Sequence, residues 1–385
     1  MIWIALKMLT GDRAKYFGIV FGVTFASLLM AHQVSIFVGI MSRCTSQVRD
    51  LDEADIWVMN PYVKYTDEVM ALSDNDLPRV RGVEGVEWAV RLFKGGIRAK
   101  ITGGEETEGA GNFRGVQVMG LDDATLIGAP REMILGDLAD IRQPDAIIVD
   151  ECGYSYLFPG QKMATGQIIE MNDRRAVLVG ICKASPPFTA QAVIFTRYSQ
   201  AMQFSPPERR LMSFVLVKVA DGYSKEDVAR SISERTGLKA LTRREFEFSC
   251  VMFYITSTGI AINFGITVML GFVVGIAIAG QTLYLFTIEN IKQFGALKAM
   301  GTSNSRIVGM ILTQSAVVGV LGYSIGMGLA AAFFEVTKNA IALKGFKVVP
   351  EVMIGTAFAV AIIVTLASLL SIRKVLVLEP AVVFR

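Results

Sequence analysis

Residues 248–288, FSCVMFYITSTGIAINFGITVMLGFVVGIAIAGQTLYLFTI, run for 41 positions without an Asp, Glu, Lys or Arg. As helix this stretch would measure roughly 60 Å at 1.5 Å per residue, against about 30 Å of bilayer hydrocarbon. The expectation is one continuous helix that leaves a soluble domain as an apolar stalk near Phe248 and runs inward to Ile288. A re-entrant turn near Gly271 or Gly275 is the alternative. Three other charge-free runs, residues 16–42, 307–334 and 352–372, hold 27, 28 and 21 residues, each enough to cross a membrane. The expected fold class is therefore a membrane protein: an α-helical bundle of four transmembrane helices per protomer plus a large α+β extracytoplasmic domain between helices 1 and 2.

The composition agrees. Of 385 residues 52% are hydrophobic and only 19% are charged, where roughly 25% is usual for a soluble protein. A formal net charge of +3, scattered along the chain, is no footprint for nucleic acid. Lys7, Arg13 and Lys15 precede the first apolar run, but 27 residues exceeds a signal-peptide core and no A-x-A site follows. The run reads as an uncleaved anchor. Before it, residues 1–15 place Ile2, Trp3, Leu6 and Leu9 at helical spacing beside Lys7, the pattern of an interfacial helix with Trp3 at headgroup depth.

Residues 43–247 form the soluble domain. Strand chemistry recurs at residues 55–59, 113–119, 145–149, 176–179, 192–195 and 214–219. Ser224 to Asp227 reads as a capping box for a helix that carries Val228 and Ile232 and stops near Gly237. Gly103 to Gly111 has no apolar periodicity and reads as a mobile loop. The remaining segments are 248–288 (stalk and helix 2), 289–306 (cytoplasmic connector), 307–334 (helix 3), 335–351 (extracytoplasmic loop), 352–372 (helix 4) and 373–385 (cytoplasmic tail). Short segments on the N-terminal side carry nine Lys or Arg. Those flanking the other side also carry nine, but six of these belong to the long domain, which the positive-inside rule discounts. The count favours both termini in the cytoplasm.

In the connector, Ile291, Phe294, Leu297 and Met300 make one apolar face with Lys298 at its rim, Gly301 is a left-handed stop, and Ser303 or Ser305 caps the next helix. Such a helix either lies passively in the interface or presents an exposed Phe294 and Leu297 to a cytoplasmic partner, as in helix-in-groove recognition. Gly271 with Gly275 and Gly322 with Gly326 are G-x-x-x-G pairs that permit close helix approach within a bundle or across a dimer. Gly322 to Gly326 also spells G-x-S-x-G, but mid-helix and with a single His in the chain it is no nucleophile elbow. His32 and Gln33 lie inside the first apolar run, where they mark either a polar pathway or, the favoured reading, interhelical hydrogen bonds with Asn263, Gln281 or Gln314 as partners. One His gives no metal site. The four Cys include no C-x-x-C. Cys44 and Cys250 border the soluble domain, where a disulfide and a reduced buried pair both fit.

The connector resembles that of the permease subunits of MacB/FtsX-type ABC transporters, whose usual run is close to E-x-G-x-L-x-A-L-G-A-S-x-x-x-I. Phe294 to Ser303 and Ile307 follow it, with Met300 for the usual Leu and Thr302 for the usual Ala. Gln293 stands where an acid is common, and Glu289 stands four residues earlier. The tail from Arg373 to Arg385 looks like the family's D-P-x-x-A-L-R ending. Ala54 to Val58, Gly82-Val83, Val118 to Asp122, Gly160 and Val177 to Ile181 follow the order of its extracytoplasmic domain, most like short DevC-like permeases encoded apart from their ATPase. The resemblance implies a non-catalytic subunit in the bacterial inner membrane, working as a homodimer. It implies a separate ABC ATP-binding subunit that holds ATP and Mg, since the chain has no G-x-x-x-x-G-K-[ST]. It further implies a periplasmic membrane-fusion adaptor and an outer-membrane channel, with ATPase motion passed to the outer domain (mechanotransmission) to export a lipid, drug-like molecule or lipoprotein. A membrane-anchored sensor, or regulator of a cell-wall hydrolase, is the alternative.

Overall fold

The computed structural model describes residues 2–101, 112–188, 192–206, 211–338, 340, 343 and 345–376. The loop Gly103 to Gly111 and the tail from Glu379 onward lie outside them. The chain divides into two compact units, residues 1–39 with 259–385, and residues 40–258.

The chain opens with α1 (Ile2–Gly11) and α2 (Arg13–Cys44). There follow α3 (Ser46–Asp50), β1 (Ile56–Met59), α4 (Asp76–Arg81), β2 (Val86–Ile101), β3 (Phe113–Leu121), β4 (Glu132–Leu135), β5 (Ala146–Asp150) and α5 (Glu151–Leu157). Then come β6 (Ile168–Met171), β7 (Arg174–Lys183), β8 (Val193–Arg197), α6 (Tyr198–Phe204), β9 (Phe214–Val219), α7 (Lys225–Thr236), β10 (Lys239–Thr242) and α8 (Arg243–Ser257). The chain closes with α9 (Ile260–Glu289), α10 (Ile291–Ala299), α11 (Asn304–Thr337) and α12 (Pro350–Leu376).

Four of these helices, α2, α9, α11 and α12, are long and apolar enough to cross a membrane. The expected continuous second helix is corrected: α8 ends at Ser257 and α9 begins at Ile260. Thr258 takes extended angles (φ −114, ψ 150) and its hydroxyl bonds back to the Tyr254 carbonyl. A Thr-Ser-Thr-Gly run offers local hydroxyl bonds and a flexible residue in place of helix propagation. The break thus falls at Thr258-Gly259 rather than at Gly271 or Gly275.

In the α+β unit the strands join in the order β10-β1-β9-β2-β3-β8-β5-β7-β4, with β6 bonded to both β2 and β7. The β3–β8 and β5–β7 pairs are parallel and the others antiparallel. β2 is the spine: Val86 to Leu92 pair with β9, and Phe93 to Lys100 with β3. Cores cover the sheet, one around Phe93, Tyr154 and Phe204, another around Trp57, Phe214 and Phe246. Helix α7 starts and stops where expected, with Ser224 accepting the Asp227 N–H and Gly237 closing it at φ 70, but the cap is the Ser224 side chain alone rather than the reciprocal box.

Lys94, on β2, is only 1% exposed. Its ammonium donates to the Thr66 carbonyl at 2.7 Å and the Asp67 carboxylate at 2.6 Å. Burial pulls its pKa down and Asp67 opposes that shift. The same loop is held by Lys239 donating to the Val63 carbonyl (2.7 Å) and Ser249 donating to the Lys64 carbonyl (2.8 Å). Tyr65 stacks on Phe253 of α8 at 4.0 Å. Thr66 donates to the Cys44 carbonyl at 3.4 Å. All four cysteines are buried free thiols. Burial pushes the Cys250 thiol up to about 11, which keeps it protonated and a poor partner for disulfide exchange at neutral pH.

Removing one member of a buried ion pair strands the other charge. Asp67→Ala is expected to cost about 3–5 kcal/mol in melts of the solubilised chain, and Lys94→Met with Asp67→Leu far less. Because the folded-state pKa of Lys94 lies below its ordinary 10.5, the unfolded chain binds more protons there. Stability therefore rises with pH through the window below 10.5, and Lys94→Met removes that rise. Titration of the denatured chain is expected to count four free thiols, matching the four buried cysteines.

Candidate coupling surface

Within the membrane unit, α2 is approached closely from two sides. On α9, Gly271 lies against Leu29 and Met30, and a Cβ at Gly275 would come 2.7 Å from that of Ala26. On α11, Gly322 faces Val23, and a Cβ at Gly326 would come 2.7 Å from the Thr24 carbonyl oxygen and 2.9 Å from the Leu28 nitrogen. Both G-x-x-x-G pairs are thus used inside one chain. α12 completes the bundle against α9 and α11.

The expected polar partners of His32 are corrected. Asn263 and Gln281 are exposed, and Gln314 donates instead to the Ala5 carbonyl at 2.8 Å. His32 packs edge-on to Phe333 (4.7 Å) and stacks on Phe334 (5.7 Å), so its ring is held by aromatic faces. Gln33, next to it, is half-buried.

Gly301 adopts φ 89 as the stop of the connector, and Ser303 takes the N-cap position of α11 without a side-chain bond. On α10 the apolar face points the other way from expectation. Phe294 is fully buried among Ala5 of α1, Ile307, Met310 and Ile311 of α11, and Ile372 and Val375 of α12. Leu297 packs against the same cluster, and Ile291 is half-buried. Lys298 donates to the Leu376 carbonyl at 3.1 Å. An aromatic ring offered one groove by its own chain fills it rather than waiting for a partner. What α10 and the two residues after it leave exposed is Lys292, Gln293, Ala299, Met300 (75%) and Gly301.

Beside that exposed face lies a groove of about 750 Å³, walled by Trp3, Lys7 and Asp12 on one side and by Glu289, Asn290 and Gln293 on the other. Its two wall acids are bridged by Lys15, which is paired with Asp12 at 2.7 Å and with Glu289. A base in the first turn of α2 and an acid in the last turn of α9 each oppose their helix dipole. The antiparallel packing lets each neutralise the other. The part of α1 in this groove had no signal in the connector's own periodicity.

The protein families give this arrangement its relatives. Residues 16–235 match the MacB-like periplasmic core domain and residues 251–380 the FtsX-like permease C-terminal family. This chain belongs to the MacB/FtsX-type ABC transporter permeases. It is 22% identical over 343 residues to the macrolide export ATP-binding/permease protein MacB of Photorhabdus laumondii, covering 84% of this chain and 50% of the relative. The permease thus spans about half the length of that relative. Among solved structures, the periplasmic region of MacB from Actinobacillus actinomycetemcomitans matches at 10% identity and TM-score 0.37, over 52% of this chain and 94% of that one. The extracellular domain of the noncanonic ABC-type transporter YknZ from Gram-positive bacteria matches at 14% and 0.34, over 49% and 98%.

In this permease, Phe294→Ala is expected to cost about 3–5 kcal/mol, and Gly326→Ala about 1–3 kcal/mol because backbone faces the added methyl. Both should appear as lowered melting temperatures, whereas Met300→Ala should leave melting unchanged.

Proposed function

We propose that the chain is the non-catalytic permease subunit of an ABC exporter, working in the inner membrane as a homodimer with a separate ATP-binding subunit that holds ATP and Mg. Both termini and α10 lie in the cytoplasm, and residues 40–258 lie outside. The observation that carries this reading is the seating of Phe294 in a cluster built from α1, α11 and α12. A push on α10 cannot be absorbed by a loose connector, because the ring ties it to the ends of two spanning helices and to the interfacial helix. Motion then passes along α2 and through α9 toward the outer domain, which is mechanotransmission rather than passage through a pore. The surface offered to the ATPase is the exposed set Lys292, Gln293, Met300 and Gly301, with the groove beside Trp3. A periplasmic adaptor with an outer-membrane channel would carry the exported lipid, drug-like molecule or lipoprotein onward.

The test is a reconstituted complex. Met300→Asp with Gln293→Lys is expected to lower stimulated ATP hydrolysis about tenfold, the scale of one lost interface hot spot, with the melting temperature unchanged. Unchanged stimulation would remove α10 as the contact. For orientation, Glu226→Cys, at an exposed position, is expected to react with a membrane-impermeant maleimide in intact spheroplasts; protection of that thiol until lysis would place the domain inside.

A further inference from the structure

In the α+β unit, β2 passes from its pairing with β9 to its pairing with β6, and a groove of about 1170 Å³ opens where it does so. That exceeds the ~300–1,000 Å³ of ordinary small-ligand sites. Its floor is glycine on two neighbouring strands: Gly95 and Gly96 of β2, and Gly115 of β3, which pairs with Arg98. A Cβ on Gly96 or Gly115 would meet nothing within 4 Å, so these two positions leave open space, whereas one on Gly95 would come 2.7 Å from the Phe93 ring.

The walls carry both charge signs and ring faces. Asp67 is engaged by Lys94 at 2.6 Å, and Glu170 has Lys100 at 3.9 Å. Arg98 and Asp173, the other two charges lining the groove, have no ion-pair partner among the described residues. Among the described lining residues one positive and one negative group thus lack an ion-pair partner in one open site, with the Arg114 guanidinium a further cation beside it. Phe113 (66% exposed) and Tyr156 supply ring surface, and both already stand beside cations: the Lys100 ammonium lies 6.0 Å from the Phe113 centroid and the Arg114 guanidinium 5.1 Å from that of Tyr156. Val69 and Pro206 extend the apolar wall.

We propose that this groove binds a zwitterionic amphiphile of lipid size. Its anionic group is taken by the Arg98 guanidinium, whose fork suits phosphate or carboxylate. Its cationic group sits at Asp173, and its apolar body lies on Phe113 and Tyr156. A singly charged ligand would give a partner to only one of these two exposed wall charges, whereas a zwitterion serves both. The inference deepens the exporter reading by naming a substrate class. It rests on that reading only for how the ligand arrives, since binding can be measured without ATP or an ATPase.

The experiment uses the full chain in nanodiscs and a lysophosphatidylethanolamine with a photoreactive diazirine in its acyl chain, the labelled peptides being mapped by mass spectrometry. Peptides containing Phe113 and Tyr156 are expected to be labelled. Gly115→Trp should cut that labelling at least fivefold and Arg98→Glu about tenfold, while labelling of α9 and α11 stays constant as the internal measure of lipid contact. Arg98 is exposed, so its variant keeps the test open if the bulkier one fails to fold. Equal groove labelling in Arg98→Glu, equal labelling by a lysophosphatidylglycerol analogue, or labelling confined to the spanning helices would overturn the proposal. Each of those results would leave the ATPase-stimulation test untouched.

Discussion

Helices inside a bilayer gain little by burying apolar side chains against each other, because lipid tails are equally apolar; closeness of approach decides which contacts form. In this chain that constraint falls on α2. Gly275 brings α9 against Ala26, and Gly326 brings α11 onto the backbone at Thr24 and Leu28. With α2 held on both sides, the remaining helix choices follow. Along the buried stripe of α9, which recurs every four residues at Gly271, Gly275, Ala279 and Leu283, Gly271 faces α2 and Gly275 faces both α2 and Ile363 of α12. Lys15 and Glu289 then meet at one end, each at the unfavourable terminus of its own helix. Their pairing is a consequence of the antiparallel approach as much as a support for it.

The α+β unit solves a different problem. Its longest strand, β2, carries Arg91, Lys94, Arg98 and Lys100 between strands with few charges of their own, Arg114 on β3, Glu170 on β6 and Lys218 on β9. Arg98 stays exposed, but Lys94 is enclosed, and a buried ammonium is tolerable only with charge and hydrogen bonds to meet it. The loop that meets it supplies the Thr66 carbonyl and Asp67 and is itself pinned to α8 through Ser249 and the Tyr65–Phe253 stack. The pair therefore specifies where that loop lies more than it adds stability, since a well-packed apolar replacement of both members would cost little.

Long-period and composition signals made the four spanning helices, the domain between the first two, α7 with its cap and six of the strands readable before any coordinates. What the sequence concealed has identifiable causes. β2 was hidden because Gly95-Gly96 and four basic residues interrupt the alternation that marks a strand. Lys94 and Asp67 stand 27 residues apart, so neither position announces the other. The break at Thr258 lies inside a charge-free run in which hydropathy sees no change. For Gln314 and His32 the polar character was legible but the partners were not. A carbonyl in α1 and two phenylalanine rings satisfied needs that side-chain polarity had assigned to Asn263 and Gln281.

The connector shows why a periodic pattern alone could not settle direction. An amphipathic helix states that it has two faces, not which face meets its own chain and which meets another. Ile291, Phe294 and Leu297 read as a passive interfacial face or as a ligand outward, and the structure instead seats Phe294 with Ala5 of α1, Ile307, Met310 and Ile311 of α11, and Ile372 and Val375 of α12. Inward seating changes the mechanical argument. A ring held in a partner's groove transmits force only while the partner is bound, whereas one buried in its own bundle makes α10, α11 and α12 share a joint at all times. Contact with a partner then needs only a modest exposed surface, because stiffness is supplied from within. In the proposed coupling, Met300 and its neighbours would serve recognition while Phe294 serves rigidity.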